Sequence, residues 1–236
     1  MGKRGISFRF ALRFVRGISL IAVCALLLFG TGVEGYDAIT SVPNCENKIA
    51  LTFDDGPSAL YTAKILDILN KYDVKATFFI IGENAEQNPE LVEREISEGH
   101  ELGNHTWTHP HMNGCDIKRL CEELNKTKNF LSEKFNYTPK LFRPPEGFCC
   151  KTVQKCADKF GYDIVLWDID TTDWAHNSVG NIVKAAFGAK SGDIILCHDY
   201  VTKPSPTPEA LEKFIPELKS RGYSFVTVSE LLSAKN

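Results

Sequence analysis

The sequence predicts an α/β fold whose centre is a parallel β-sheet. Its strand-like segments are continuously apolar, they alternate with helical segments, and about seven such units follow one another along the chain. Continuously apolar strands are typical of parallel sheets that helices cover. With this many units in one chain, a closed or nearly closed barrel is favoured over an open sheet.

The first strand and the first helix show how each element is predicted. Residues 48–53 are a short apolar run rich in β formers, and the turn DDGP follows them. Residues 58–72 place apolar side chains at intervals of three and four, which predicts an amphipathic helix. By the same criteria the later elements are, in order, a strand at 76–82, a helix at 89–100 opened by Pro89, a strand at 101–102, a helix at 116–135, a strand at 140–145, a helix at 152–162, a strand at 163–170, a helix at 179–190, a strand at 192–199, a helix at 208–222 and a strand at 224–232.

The first 35 residues have the layout of a secretory signal peptide. Five basic residues precede the apolar run ISLIAVCALLLFG, and the side chains at Val33 and Gly35 suit cleavage before Tyr36. We therefore expect residues 1–35 to be a signal peptide, residues 36–236 to be one domain, and the protein to be secreted or held at the cell surface or wall. An uncleaved signal anchor is the alternative, because the apolar stretch approaches the roughly 20 residues that a membrane span needs.

The charge of the mature chain limits its partners. Removal of residues 1–35 takes away five basic residues and one acidic residue, so the formal net charge moves from −3 to −7. An acidic chain argues against nucleic acid or an anionic membrane as the main partner. No feature of the sequence indicates an oligomer, and we expect a monomer.

Seven cysteines follow the signal peptide, and in an exported chain they are expected to form disulfides. An odd count leaves at least one free thiol or an intermolecular bond, and Cys197 is the candidate free thiol because it lies in the apolar run DIILCH. The other six allow fifteen pairings, and the sequence does not choose among them. A zinc cluster of cysteines is less favoured, because no pair of CxxC motifs is present. The six are Cys45, Cys115, Cys121, Cys149, Cys150 and Cys156.

Three Asn-x-Thr sequons bear on modification of a secreted chain. Asn125 and Asn136 are expected glycan sites. Asn104 precedes a histidine-rich stretch, where a glycan would obstruct the histidines, so we expect Asn104 to carry none.

Polar side chains follow the predicted strands at their carboxyl ends. In parallel α/β folds these ends share one rim, where the chemistry gathers. The side chains concerned are Asp54, Asp55, His105, His109, Arg143, Asp170, His198 and Asp199.

The histidine pair at this rim is a candidate metal site. His105 and His109 are four residues apart, a spacing suited to two ligands of one ion. A surface turn is the alternative for an isolated HxxxH pair, but carboxylates on the same rim favour a metal. Two His and one Asp leave positions open for water and substrate, as catalytic metal sites do. His111 lies beyond Pro110 and is interpreted as a solvated neighbour.

The adjacent carboxylates Asp54 and Asp55 need different roles, because two such charges do not both stay ionised unless a cation compensates one of them. Asp55 suits a metal ligand, which leaves Asp54 as a general base with Arg143 compensating its charge. His198 would then be a general acid, oriented by a carboxylate such as Asp170. Taken alone, a turn-forming Asp-Asp-Gly-Pro and a core histidine are the plainer interpretations.

Five short motifs follow one another along the chain: LTFDDGP (51–57), HTWTH (105–109), RPPEG (143–147), DTTDW (170–174) and ILCHD (195–199). In this order they resemble the NodB-homology polysaccharide deacetylases, carbohydrate esterase family 4, and most of all its chitin deacetylases. The resemblance spans about residues 46–233. It implies a distorted or incomplete (β/α) barrel of about seven to eight parallel strands. It also implies metal-dependent hydrolysis of N-acetyl groups on chitin or a related N-acetylglucosamine polymer.

The resemblance also implies roles for the metal ligands and the base. Asp55, His105 and His109 would bind Zn²⁺ or another divalent cation such as Co²⁺. Asp54 would be the general base, and Arg143 would orient it.

Further roles follow from the last two motifs of the resemblance. His198 would be the general acid and Asp170 would tune it. Trp174, Ile195 and Leu196 would form the apolar wall around the acetyl methyl group.

One position departs from the family pattern, because Glu146 stands where the family has Tyr. The backbone N–H would still serve an oxyanion site, but a carboxylate beside a developing oxyanion is unfavourable. The Glu146 carboxylate would pair with Arg143, reach the metal or point to the surface. A catalytically weak or inactive homologue that binds glycan or associates with a wall is therefore the alternative function. A third possibility is a xylan or peptidoglycan esterase of the same family.

Overall fold

A computed structural model describes residues 37–175, 177–201 and 204–234. The predicted signal peptide and its cleavage point lie outside the described residues. Within those residues, no helix combines the length and the apolar character that crossing a membrane requires.

Nine strands form one sheet in the described part of the chain, and every pair of neighbouring strands is parallel. The order across the sheet is β1-β6-β5-β4-β3-β2-β8-β7, with β9 beside β2. The sheet curls into an incomplete barrel, which confirms the predicted fold. The strands are β1 (Ala38–Ile39), β2 (Lys48–Asp54), β3 (Thr77–Ile80), β4 (Glu101–Asn104), β5 (Leu141–Phe142), β6 (Asp163–Val165), β7 (Ile169–Asp170), β8 (Ile194–His198) and β9 (Ser224–Val226).

The longest strand, β2, is the centre of the sheet. Ala50 pairs with Ile194 of β8 and also with Val226 of β9, so β8 and β9 lie on opposite sides of β2. On one side of β2, β9 pairs with the amino half of the strand and β3 pairs with the carboxyl half. Strand β2 is therefore flanked along its whole length, and Asp54 at its end lies in the middle of the rim.

Helices cover the outside of the sheet between successive strands. They are α1 (Thr62–Lys71), α2 (Gly82–Gln87), α3 (Pro89–Ser97), α4 (Ile117–Phe135), α5 (Lys151–Phe160), α6 (Val179–Ala186), α7 (Thr207–Ser220) and α8 (Val228–Ser233). Two 3₁₀ turns, Pro145–Gly147 and Asp173–Ala175, lie at the rim. Pro89 opens α3 as predicted, because a helix does not use the N–H that proline lacks at its first position.

The alternation of β2 side chains separates the apolar core from the site. Ile49, Leu51 and Phe53 face the helices and belong to the large cluster that includes residues of α1 and α7. The intervening side chains of Thr52 and Asp54 face the interior of the barrel, where both contact an arginine. Because successive side chains of a strand point to opposite faces, one face of β2 packs in the apolar core and the other directs polar groups into the barrel.

Two predicted elements differ in the structure, and two elements, β1 and α2, were not predicted. The apolar run at 163–170 is two strands, β6 and β7, which lie at opposite sides of the sheet. The stretch predicted as a strand at 224–232 is β9 followed by α8, because Thr227 and Glu230 form a capping box that starts a helix. Helix α2 was not predicted, since six residues carry too little periodic signal.

The cysteines form fewer disulfides than expected. Cys121 of α4 is bonded to Cys156 of α5, which ties two neighbouring helices together. Cys197 is free and buried in β8, as predicted. The expectation that six cysteines would all pair is wrong for the described structure, where the other free thiols are Cys45, Cys115, Cys149 and Cys150.

The three sequons differ in their exposure to solvent, and this bears on which of them can carry a glycan. Asn125 and Asn136 are exposed, so their glycosylation remains a prediction that the structure permits. Asn104 is fully buried and donates hydrogen bonds to Leu124 O and the Tyr162 hydroxyl. An asparagine held in this way has no room for a glycan, which supports the expectation that Asn104 carries none.

Candidate active site

The predicted rim brings together side chains from four parallel strands. Asp54 ends β2 and His198 ends β8, and these two residues are register partners in the sheet. His105 directly follows β4, and Arg143 directly follows β5. Because parallel strands end at one edge, residues far apart in sequence surround one cavity.

The turn after β2 aims Asp55 at the site. Asp55 has a positive φ of 77°, a conformation that an L-residue adopts only when its surroundings hold it there. The next residue must be glycine, since a Cβ on Gly56 would lie 2.0 Å from Asp199 Oδ2. Asp199 is buried and accepts a hydrogen bond from the Thr62 hydroxyl at 2.5 Å. The close approach of Gly56 to Asp199 packs the turn against the carboxyl end of β8.

Asp55, His105 and His109 form a group whose ligand atoms all lie within 4.8 Å of one another. Asp55 Oδ1 is 3.4 Å from His105 Nε2 and 3.5 Å from His109 Nε2. Tetrahedral bonds of about 2.0–2.1 Å place neighbouring ligand atoms about 3.3–3.4 Å apart. Asp55 Oδ1 is also buried without a hydrogen-bond partner among the described residues. The three residues therefore fit a small divalent cation.

The environment favours the ionised form of Asp55 and orients the ring of His105. Burial raises the pKa of Asp55, but the imidazoles of His105, His198 and His109 outweigh burial, so this pKa lies below its ordinary value. His105 Nδ1 lies 2.6 Å from the backbone oxygen of Arg143. A proton on Nδ1 leaves the Nε2 lone pair directed at Asp55, as in other histidine ligands that are oriented by a carbonyl.

The pKa values of the two histidines move in opposite directions. Burial lowers the pKa of His105, but the charges of Asp54 and Asp55 more than compensate and raise it. Burial and the neighbouring His105 lower the pKa of His109. His109 is thus readily available as the neutral imidazole that a cation needs.

Asp54 is held by a buried arginine. Arg143 Nη1 donates to Asp54 Oδ1 at 2.7 Å and to the Thr52 hydroxyl at 2.8 Å, and its side chain is fully buried. Burial lowers the pKa of Arg143, while Asp54 opposes that effect. The backbone oxygen of Val165 accepts from Nε–H of Arg143, and that of Leu166 accepts from Nη2–H. The second oxygen of Asp54 lies 3.7 Å from His105 Nε2, so it faces the candidate metal site.

His198 is oriented by Asp173, and the prediction that Asp170 does this is wrong. His198 Nδ1 lies 2.8 Å from Asp173 Oδ1, and the His198 backbone N–H donates to Asp173 Oδ2. Asp170 instead accepts the backbone N–H of Thr172 at 2.7 Å. Burial lowers the pKa of His198, but the hydrogen bond and charge of Asp173, with smaller contributions from Asp54 and Asp55, raise it to about 9.

A cavity of about 550 Å³ opens between these groups. Its lining residues are Asp54, Asp55, His105, His109, Glu146, Gly147, Trp167, Asp170, Trp174, Leu196 and His198. Trp174 and Leu196 are therefore placed as predicted. Ile195 is not, because neighbouring strand residues face opposite sides and Ile195 packs in the core cluster beneath the helices.

Glu146 lines the cavity but contacts neither Arg143 nor the three candidate ligands through a hydrogen bond. Its backbone has a φ of 59° within the turn Pro145–Gly147. Glu146 Oε1 lies 2.6 Å from Nδ1 of His111, whose side chain is 92% exposed. His111 is thus solvated, as expected, and it also pairs with the residue that departs from the family pattern.

Sequence reasoning missed Trp167 as a site residue. Its ring lines the cavity and lies 5.5 Å from the Arg143 guanidinium. Its position inside the run DIVLWDID suggested a buried strand residue. A large aromatic just before a predicted rim carboxylate was the available signal.

Comparison with known proteins identifies the family. The family model described as polysaccharide deacetylase matches residues 41–165. A peptidoglycan-N-acetylglucosamine deacetylase of Bacillus cereus is 47% identical over 198 residues, which cover 83% of this chain and 92% of that protein. The chain spans 42% of the PgdA peptidoglycan-N-acetylglucosamine deacetylase of Listeria monocytogenes, at 39% identity over 84% of this chain.

Solved structures agree with that assignment. The crystal structure of the Bc1960 peptidoglycan N-acetylglucosamine deacetylase matches with a TM-score of 0.79 and 38% identity, covering 84% of this chain and 94% of the other. Wild-type BA3943 of Bacillus anthracis, described as a family 4 pseudoenzyme, matches with a TM-score of 0.77 and 31% identity over 84% of this chain and 69% of the other. The chain belongs to the polysaccharide deacetylase family.

Proposed function

We propose that this protein is a metal-dependent N-deacetylase that hydrolyses N-acetyl groups on an N-acetylglucosamine polysaccharide outside the cell. One observation carries the proposal. A carboxylate oxygen without a hydrogen-bond partner, Asp55 Oδ1, lies between two imidazoles, beside a buried Asp54–Arg143 pair and a His198–Asp173 pair. Ligands, base and acid thus surround one cavity.

The chain's own residues divide the proton transfers. Asp54, compensated by Arg143, accepts a proton from the attacking water through the oxygen that faces the metal site. His198 donates a proton to the amine nitrogen as the C–N bond breaks, and acetate leaves. A divalent cation on the Asp-His-His group would supply the charge that polarises the amide carbonyl and acidifies the water.

Zn²⁺ is the cation we propose, with Co²⁺ as an acceptable substitute. Two imidazoles and one carboxylate suit zinc, and they leave positions open for water and the acetyl oxygen. The donor set alone does not exclude other divalent ions of similar size.

The proposed substrate is chitin or a related N-acetylglucosamine polymer. The names of relatives that specify peptidoglycan N-acetylglucosamine support N-acetylglucosamine as the sugar unit of the substrate. The motifs that resemble chitin deacetylases support a β-linked homopolymer of that sugar. A cell-wall substrate also agrees with the proposed secretion and with a location at the wall or surface. We expect the monomer to be the active form.

The direct test measures bound metal and acetate release from N-acetylglucosamine oligomers, with and without added Zn²⁺. Wild type should bind one equivalent of zinc and release acetate. Asp55→Ala and His105→Ala should lose metal, because each removes a ligand. Asp54→Asn should keep metal and lose about 10²–10⁴-fold in rate, because only the base is removed. Unchanged acetate release by Asp54→Asn would show that Asp54 is not the base.

A second candidate function is an inactive homologue that binds glycan. Glu146 in place of the family Tyr favours it, and so does the likeness to the BA3943 pseudoenzyme. A mutant of that protein is described as having restored enzymatic activity. In the same assay, zinc bound without acetate release, followed by activity in Glu146→Tyr, would support this candidate over the first.

A further inference from the structure

The cavity has two carboxylates that the proposed chemistry does not use. Asp54 is compensated by Arg143, and Asp55 is a candidate metal ligand. Two further carboxylates, Glu146 and Asp170, line the same cavity. Among the described lining residues there is no lysine or arginine. A sugar unit that lies beside Glu146 or Asp170, away from the cation and from His198, therefore meets a carboxylate that the reaction does not use.

The backbone that carries Glu146 is fixed at the cavity wall. Glu146 and Gly147 both have positive φ values, 59° and 64°, within a turn that begins at Pro145. A Cβ on Gly147 would lie 2.7 Å from the ring of Trp167, so this turn packs directly on the indole. The backbone from which the Glu146 side chain extends is thus held by a packed turn.

The Glu146 carboxylate remains accessible to a ligand. Its side chain is 44% exposed, and its partner His111 is on the solvent side of the pair. A contact between two exposed side chains contributes little to stability, so a substrate cation can replace His111 beside the Glu146 carboxylate. Asp170 is half-buried, and its Oδ1 is engaged by a backbone N–H. Glu146 is therefore the carboxylate better placed to select among sugars by charge.

We propose that Glu146 makes this site select chains in which a glucosamine ammonium lies next to the N-acetylglucosamine that is hydrolysed. The inference rests on the proposed deacetylase function and goes beyond it by naming the charge class of the preferred substrate. A neighbouring unit with an ammonium group is attracted to the Glu146 carboxylate, whereas a unit with a carboxylate is repelled. Partly deacetylated chains are then better substrates than fully acetylated chains of the same length.

The test compares two oligomers of equal length, one fully N-acetylated and one partly deacetylated. The quantity measured is the ratio of their kcat/KM values on the zinc-loaded full chain. Wild type should favour the partly deacetylated oligomer by about two- to fivefold at low salt, the size expected for a partly exposed charge pair. The preference should shrink at about 0.5 M NaCl, where charges are screened over a few ångströms.

Glu146→Gln isolates the charge, because the amide keeps the size of the side chain. A general loss of rate in this variant cancels in the ratio, which should fall to about one. Glu86→Gln is the matched control, since Glu86 is exposed and is not a lining residue of the cavity. It should keep the wild-type ratio. An equal ratio in wild type and Glu146→Gln would overturn the proposal.

Binding separates this inference from the proposed function. If neither oligomer releases acetate, the deacetylase proposal fails, and calorimetry on the zinc-loaded protein then tests charge selection without turnover. Tighter binding of a glucosamine oligomer than of an N-acetylglucosamine oligomer, abolished in Glu146→Gln, would support the inference. Equal binding of the two, or binding of neither, would refute it.

Discussion

Asp173 sets both the position and the charge of His198. Its two carboxylate oxygens bind the imidazole Nδ1 and the backbone N–H of the same residue. The Thr207 hydroxyl also donates to Asp173 at 2.6 Å, so this carboxylate is itself held in place. The general acid that we propose must be protonated before it acts, and a pKa of about 9 keeps His198 protonated at neutral pH.

Asp173→Asn should lower the pKa of His198, because the amide removes the charge that favours the imidazolium. The alkaline limb of the pH profile for acetate release should therefore move to lower pH, with slower turnover at pH 8. Asp170→Asn is the control, because Asp170 does not contact His198. If Asp170→Asn moved the alkaline limb and Asp173→Asn did not, the assignment made from the contacts would be wrong.

The two aspartates of DTTDW mark a limit of sequence reasoning at this scale. Asp170 ends β7 and Asp173 comes three residues later, so from the sequence either carboxylate could reach the end of β8. The choice depends on the turn between them, where Thr172 has a φ of 52° and reverses the chain into the 3₁₀ turn Asp173–Ala175. A left-handed threonine has no reliable sequence signature, so only coordinates distinguish the two.

Helix α3 contains a buried carboxyl that should destabilise the fold. Glu95 is fully buried, and neither carboxylate oxygen has a hydrogen-bond partner among the described residues. Burial, with a smaller effect of the Asp199 charge, raises the pKa of Glu95 well above its ordinary value. In the unfolded chain the group ionises above about pH 4.3. The free energy of unfolding should therefore fall as the pH rises from that point towards the folded pKa.

Glu95→Met should raise the stability, because it removes an unpaired buried polar group of similar length. We expect a gain of about 1–3 kcal/mol, and a larger gain at pH 8 than at pH 5. Thermal unfolding at the two pH values measures it. Glu93→Met is the matched control, since Glu93 is exposed on the same helix. A gain that is the same for both variants, or independent of pH, would contradict this account.

At the scale of elements, the predictions succeeded where a period could be read over three turns or more. Helices α4 and α7 were predicted to within two residues at each end, because each carries a long apolar stripe. The error at 163–170 has a different origin. An apolar run predicts burial, but Leu166 to Asp168 connect two strands near opposite ends of the sheet order instead of continuing one strand.

At the scale of the whole molecule, the convergence of the site was predictable from topology alone. A parallel sheet places the carboxyl ends of its strands on one rim, whatever the sequence distance between them. Asp54 and His198 are paired in the sheet although they lie far apart in the sequence. The distances within the rim were not predictable, because they depend on turns such as that of Asp55.

Cation binding should stabilise the whole molecule. Asp55 follows β2, whereas His105 and His109 follow β4, and β3 lies between these strands. An ion held by all three residues therefore ties together segments that separate on unfolding. Binding to the folded chain alone, with free Zn²⁺ at a hundredfold excess over Kd, contributes about 2.7 kcal/mol.

For a domain of this size, the Tm of wild type should rise by about 5–10 °C on addition of Zn²⁺. His105→Ala should lose most of this rise in Tm, because one of the three metal ligands is gone. Oδ1 of the neighbouring Asp55 then stays without a hydrogen-bond partner among the described residues. Asp54→Asn should keep the rise, because Asp54 is assigned as a base and not as a ligand. Each variant is compared with itself, with and without zinc, so a change in its metal-free Tm does not affect the result. A rise of equal size in wild type and His105→Ala would place the zinc elsewhere on the molecule and remove the physical basis for a catalytic cation at this rim.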